Sequence, residues 1–116
     1  MESEKFEVEL HVIIRHKESD KHAPAFGRGI ARLCELVEKT GSLNKACKEM
    51  GMAYSKAWRI IRNSEESLGV SLLERYGAKG SVLTQEAKKL VRVYRRCETT
   101  LRADAQEVLA KALREE

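Results

Sequence analysis

The stretch TGSLNKACKEMGMAYSKAWRIIRNSEESLG, residues 40–69, decides how this chain folds. Ser42 is suited to cap a helix start. Behind it Leu43, Ala46, Cys47 and Met50 recur at helical spacing, and Gly51 closes the short segment. A second helix follows almost at once, from about Ala53 to Leu68, with Ala57, Ile61 and Leu68 pointing inward. Ser64 interrupts that apolar stripe, and Gly69 ends the helix. Two helices joined by so tight a glycine-containing turn are a helix-turn-helix signature, a spacing that helical hairpins share.

Working outward, residues 26–39 predict a preceding helix, with Ile30, Leu33, Cys34 and Val37 on one face and Gly41 as its left-handed cap. Downstream, LLERYGAKGSVL (residues 72–83) reads as two short strands around Gly77 and Gly80, with Arg75 just before the turn and Lys79 in it. A short basic-tipped hairpin after a helix-turn-helix has the layout of a wing. At the other end, KFEVELHVIIR (residues 5–15) alternates: Phe6, Val8, Leu10, Val12 and Ile14 on one face, charged residues and His11 on the other, Ile13 excepted. Period two predicts a half-buried strand, and a strand needs a partner for its backbone groups; the wing could supply one. Residues 16–25 form a polar link.

From Thr84, a natural N-cap with Glu86 in the first turn, the chain continues without Gly or Pro. Leu90, Tyr94, Cys97, Leu101, Ala105 and Val108 form a heptad-like seam with one stutter. A helix of roughly 30 residues is about 45 Å long, whereas a compact domain of this size has a radius of gyration near 13 Å. The helix should overhang its domain, and its seam predicts a symmetric homodimer. The expected organisation is an N-terminal strand and linker over 1–25, a winged helix-turn-helix over 26–83 and a long dimerisation helix over 84–116. The fold class is mainly α with a small β-sheet.

The chain has 116 residues and a net charge of +4, unevenly spread. Residues 45–62 hold five basic residues (Lys45, Lys48, Lys56, Arg59, Arg62) and one acid, Glu49, while residues 1–22 are net acidic. A local basic patch suits a polyanion, although solvated helix faces carry such charges too. No apolar run is long enough for a membrane span. The acidic N-terminus lacks the pattern of a secretory signal, so a cytoplasmic protein is expected. Cys34, Cys47 and Cys97 form neither a CxxC pair nor a disulfide framework, and His11, His16 and His22 lie away from them. Metal and cofactor are expected to be none, and the cysteines read as core thiols. No nucleophile–base pair or phosphate-cradling glycine loop can be assembled, so an enzyme is not expected.

Residues 40–84 resemble the winged helix-turn-helix of LysR-type regulators. They resemble more closely the N-terminal DNA-binding domain of ModE-type molybdate-dependent regulators. The resemblance rests on Thr40-Gly41-Ser42-Leu43, Gly51-Met52-Ala53-Tyr54-Ser55-Lys56-Ala57-Trp58, Leu73-Glu74-Arg75 and Val82-Leu83-Thr84. The leading strand and long last helix fit it as well. It implies a transcription regulator that binds double-stranded DNA. The effector domains of both groups are expected to be absent here, so molybdate sensing is not implied; a separate effector-binding partner is one route to regulation.

Elementary geometry agrees with that implication, because a helix fits the major groove and its N-terminal residues reach base edges. Here these are Tyr54, Ser55, Lys56, Arg59 and, a turn on, Arg62 and Asn63. Ser42, Asn44 and Lys45 at the start of the previous helix, and Arg75 and Lys79 in the wing, complete the candidate contacts with DNA. Trp58 is expected to pack beneath the motif, and Tyr76 and Tyr94 to be core and seam residues. The rival reading is a winged-helix adaptor that binds protein, which should expose apolar residues where Lys56, Arg59 and Arg62 stand. Double-stranded RNA ranks lower, since its deep, narrow major groove excludes a helix.

Overall fold

The computed structural model describes residues 1–20, 22–23, 25–77 and 80–115. Helix α1 spans Arg28–Thr40, α2 Leu43–Met50 and α3 Tyr54–Leu68. Strands β1 (Leu73–Arg75) and β2 (Ser81–Leu83) follow, and then α4 (Gln85–Arg114). The ends of these elements have local causes. Ser42 Oγ accepts the Lys45 N–H at 3.2 Å, and Thr84 Oγ1 accepts the Ala87 N–H at 3.0 Å. Gly41, Gly51 and Gly69 take φ of 75°, 65° and 74°, a region costly for a residue with a Cβ.

The core is one layer of three helices closed by the hairpin and by the first part of α4. Leu33, Leu36 and Val37 of α1 meet Leu43, Ala46 and Cys47 of α2, Ala57 and Ile61 of α3, and Leu72, Leu83, Ala87 and Tyr94. Burial pushes the Cys34 thiol up to about 12, with the charges of Glu35, Glu65 and Glu38 adding to the effect. It is an inert packing residue. Ser64, the break in the α3 stripe, is buried because its hydroxyl donates to Ala25 O at 3.2 Å. The polar interruption anchors the preceding linker.

The expected N-terminal strand is not formed. Residues 6–13 belong to no regular element, and the one bridge made by this arm joins Ile14 to Phe26. The alternation is still visible, because Val8, Leu10, Val12 and Ile14 are half-buried and Glu7, Glu9, His11 and Ile13 exposed. The physical reason is that the arm lies along α4 and not beside the hairpin, so its backbone groups find other partners. The wing strands pair only with each other, in the register Leu73–Leu83, Glu74–Val82, Arg75–Ser81. The arm instead runs back along α4, from Ile14 beside Leu90 to Phe6 beside Gln106. There the Gln106 side chain substitutes for a strand: its Oε1 accepts from Val8 N at 2.9 Å and its Nε2 donates to Phe6 O at 3.0 Å.

Helix α4 has 30 residues, and the molecule measures 61 × 32 × 23 Å with a radius of gyration of 17.2 Å. That is well above the roughly 13 Å of a compact domain of this length. The excess is the outer half of α4, which has no fully buried residue beyond Glu98.

The wing is held to the helices through a backbone contact. Ser81 N donates to Gly41 O at 3.3 Å, and a Cβ on Gly80, whose φ is 95°, would overlap that same carbonyl oxygen. Gly80→Ala is therefore expected to lower unfolding stability by about 1–3 kcal/mol, or to move the hairpin. Gly29→Ala, in an open position of α1, should be neutral or gain up to about 1 kcal/mol. Urea denaturation of both variants checks this, and equal midpoints for Gly80→Ala and the parent would show the hairpin to be free of Gly41.

Candidate nucleic-acid interface

Helix α3 divides cleanly into two sides. Ala57, Ile61, Ser64 and Leu68 are buried, while Tyr54, Ser55, Lys56, Arg59, Arg62 and Asn63 are all exposed. Its N-cap, Ala53, gives no side-chain hydrogen bond, and no acid stands in the first turn. The free N–H groups and positive dipole end therefore carry Lys56 beside them, an arrangement that favours an anion. Lys56, Arg59 and Arg62 add three cations along the outward side, with Glu66 the exposed acid nearer the far end.

A second part of the surface lies between α2, α3 and the wing. Ser42, Leu43, Asn44, Tyr54, Arg75, Gly77, Gly80 and Ser81 line an open cleft of about 610 Å³. Asn44 and Lys45 are exposed, whereas Ser42 is half-buried and its oxygen is already engaged as the α2 cap. The structure thus brings Ser42, Asn44, Tyr54 and Arg75 together at one cleft. Lys79, expected at the wing tip, lies outside the described residues.

Arg75 is placed by contacts that spacing does not reveal. Its Nη2 donates to Tyr54 Oη at 3.0 Å, and its guanidinium carbon sits 4.1 Å from the centre of the Trp58 ring. Arg62 lies over the same ring at 5.4 Å, and Tyr54 meets it edge-on at 6.4 Å. Trp58 packs half-buried against the core, as its expected role under the motif requires. Tyr76 departs from expectation: it is 51% exposed, and its hydroxyl donates to Glu74 Oε2 at 2.8 Å.

Glu65 was not singled out by the sequence, yet it holds the wing to α3. Its Oε2 accepts from Leu72 N at 2.6 Å, from Leu73 N at 3.3 Å and from Ser71 Oγ at 3.3 Å. No local pattern marks it, because its partners follow a glycine turn and belong to another element. Among the described residues no three His, Cys, Asp or Glu side chains gather to hold a metal ion. No helix is long and apolar enough to cross a membrane.

Over residues 30–88, just over half of the chain, the sequence matches the family described as bacterial regulatory helix-turn-helix protein, lysR family. The chain belongs to that family. The match starts in α1, takes in the helix-turn-helix and the hairpin, and stops just inside α4. A search among curated proteins finds none that matches. In helix-turn-helix proteins the second helix of the motif is the one that lies in the major groove, and in this chain that helix is α3.

The seam expected on α4 is split by the fold. Tyr94 is 1% exposed and meets Phe26 edge-to-face at 5.9 Å, so it is spent inside its own chain. Leu90 also packs on that core. Cys97 and Ala105 are half-buried, and Leu101 and Val108 are 48% and 66% exposed. Val93, outside the expected seam, is 50% exposed beside them. Heptad spacing cannot separate the two sides, because it marks apolar positions without saying which of them the chain's own core covers.

The Glu65 contacts give a direct test. Glu65→Ala leaves the buried Leu72 and Leu73 amides without their acceptor and should cost about 1–3 kcal/mol. Glu65→Gln keeps an acceptor but loses the charge-assisted part and should cost less. Chemical denaturation ranks them; a Glu65→Ala variant as stable as the parent would show that the carboxylate does not hold the hairpin.

Proposed function

We propose that this LysR-family chain is a sequence-specific, double-stranded-DNA-binding transcription regulator that acts as a homodimer, with α3 in the major groove. The observation that carries this reading is the outward side of α3: Lys56, Arg59, Arg62 and Asn63 exposed together above a helix start that no side chain caps. An adaptor would present apolar side chains there. Arg59 and Asn63 suit base edges, since Arg pairs bidentately with guanine and Asn with adenine. Ser55, Lys56, Arg62, Lys45, Ser42, Asn44, Tyr54, Arg75 and Lys79 suit phosphates.

Within the family we favour a ModE-like arrangement. The support is the Tyr54-Ser55-Lys56-Ala57-Trp58 run, the arm ahead of α1 and the 30-residue α4. Dimerisation is supported by the apolar strip that α4 leaves uncovered, where Val93, Cys97, Thr100 and Leu101 line a shallow cleft of about 300 Å³ and Val108 continues it. Soluble monomers avoid such strips. Val93, Cys97, Leu101, Ala105 and Val108 are the residues we assign to the pairing of two copies, and helix-turn-helix dimers address half-sites about 34–36 Å apart.

Footprinting of the chain's own promoter region by the purified protein tests this reading, and a protected site with two-fold symmetry is the expected result. Protection of no sequence over random DNA would return the fold to the adaptor class. Arg59→Ala should weaken binding to the protected site by about 1–3 kcal/mol while leaving non-specific binding nearly unchanged. Leu101→Lys should sediment as a folded monomer with little affinity for the site. A parent protein that is monomeric at tens of micromolar, the working range of sedimentation velocity, would rule out the dimer.

A further inference from the structure

The hairpin is fastened to α3 at two points. At its base Glu65 accepts from the Leu72 and Leu73 amides. Near its tip Arg75, the last residue of β1, lies on Trp58 and donates to Tyr54. Two anchors on one helix set an angle, where one would leave a hinge. No carboxylate pairs with Arg75 among the described residues, so neutral groups alone hold this cation. A guanidinium held over a ring face still has N–H donors for other partners, and Arg75 lines the same cleft as Ser42 and Asn44. The indole carries a matching sign of constraint, because Trp58 Nε1 is buried without a hydrogen-bond partner among the described residues. A lone indole would turn that N–H to water; here the packing around the ring overrides it.

We propose that Arg75 is a positioning residue: stacked on Trp58 and bonded to Tyr54, it fixes the wing to α3 so that the two meet DNA as one body. This goes beyond a phosphate contact from the wing, and its DNA consequence rests on the function proposed above. The clamp itself does not, and it can be read without DNA.

Trp58 is the only tryptophan in the chain, so fluorescence excited at the red edge of the indole band, where tyrosine does not absorb, reports on the clamp. In the free protein, Arg75→Ala should shift emission to the red and raise quenching by acrylamide. Arg75→Lys keeps the charge but has no planar face, and should leave Trp58 equally open to acrylamide while retaining the salt dependence of DNA binding. On DNA, Arg75→Ala and Trp58→Ala should each weaken binding about three- to tenfold, the scale of one cation–π contact. The double variant should be no weaker than the worse single one, the mark of residues acting through each other. Trp58→Phe, which restores a ring face, should recover most of the loss and guards against a folding defect in Trp58→Ala.

Unchanged acrylamide quenching in Arg75→Ala overturns the proposal, as do additive losses in the double variant. Full restoration by Arg75→Lys of both shielding and affinity also overturns it, since Arg75 would then act as a charge only. Failure of the parent protein to bind DNA would sink the DNA reading, while the quenching measurements would still decide the clamp.

Discussion

Phe26 is the residue on which the arrangement depends. Its side chain is fully buried and meets Tyr94 of α4 edge-to-face at 5.9 Å. Its backbone exchanges two hydrogen bonds with Ile14, at 2.8 and 2.9 Å. One residue earlier, Ala25 O accepts the Ser64 hydroxyl from α3. The arm, the linker, α3 and α4 therefore converge on two consecutive residues. Burying an aromatic ring of this size contributes about 1.5–3 kcal/mol, and the edge-on pair about 0.5–1.5 kcal/mol more. The junction's larger effect is geometric, since it sets the angle between α3 and the long helix. If α4 is the dimer helix, that angle also sets where each α3 stands relative to the two-fold axis.

One turn beyond Tyr94 the core ends at a charge cluster. Glu98 is 7% exposed and lies 2.9 Å from Arg95, 3.6 Å from Arg102 and 3.9 Å from Arg28. Arg95 also grips Glu35 of α1, with its Nε donating at 3.0 Å. A buried carboxylate among arginines is weak evidence for stability, because desolvation offsets much of the attraction. It is better evidence for register. A slip of α4 along α1 would separate Arg95 from Glu35 and leave Glu98 buried without its partners. Hydrophobic contacts through Ala87 and Tyr94 hold α4 in place, and the charges define how far along it sits.

Much of this fold is legible in the sequence because its determinants are local. Ser42, Thr84, Gly41, Gly51 and Gly69 end or start helices through contacts within four residues of themselves, and the 3.6-residue period alone puts Lys56, Arg59, Arg62 and Asn63 outside. What escaped depends on partners remote in sequence. Residues 5–15 alternate like a strand, but whether a strand forms depends on what the fold lays beside it, and the arm found a glutamine 98 residues away from Val8. The heptad spacing of α4 reads as one face, but the fold packs Leu90 and Tyr94 of it into its own core and leaves Leu101 and Val108 exposed. Glu65, Arg75 and Trp58 form a unit across 10 and 17 residues of unrelated spacing. Glu98 left a partial trace: arginines three residues before and four after it have the spacing of ion pairs along a helix, but its burial against α1 is not legible from that spacing.

The arm also bears on how a chain with a net charge of only +4 could present a surface for a polyanion. Its acids would weaken such a surface if they lay near it. Instead Glu4 and Glu7 flank Thr99, Arg102, Ala103 and Gln106, on the outer half of α4. Helix α3 meets the start of α4 through the core around Tyr94, and position 102 lies eight residues further, about 12 Å along the helix at 1.5 Å per residue. That exceeds the Debye length of about 8 Å at physiological salt. Glu4 and Glu7 thus sit beside a basic residue of the outer half of α4, whereas Glu18, further along the same acidic segment, lines a cleft with Asn63 and Glu66 of α3. Net charge is the wrong quantity for such a protein. The relevant one is the charge within a screening length of α3, where Glu18 and Glu66 beside Asn63 count against Lys56, Arg59 and Arg62.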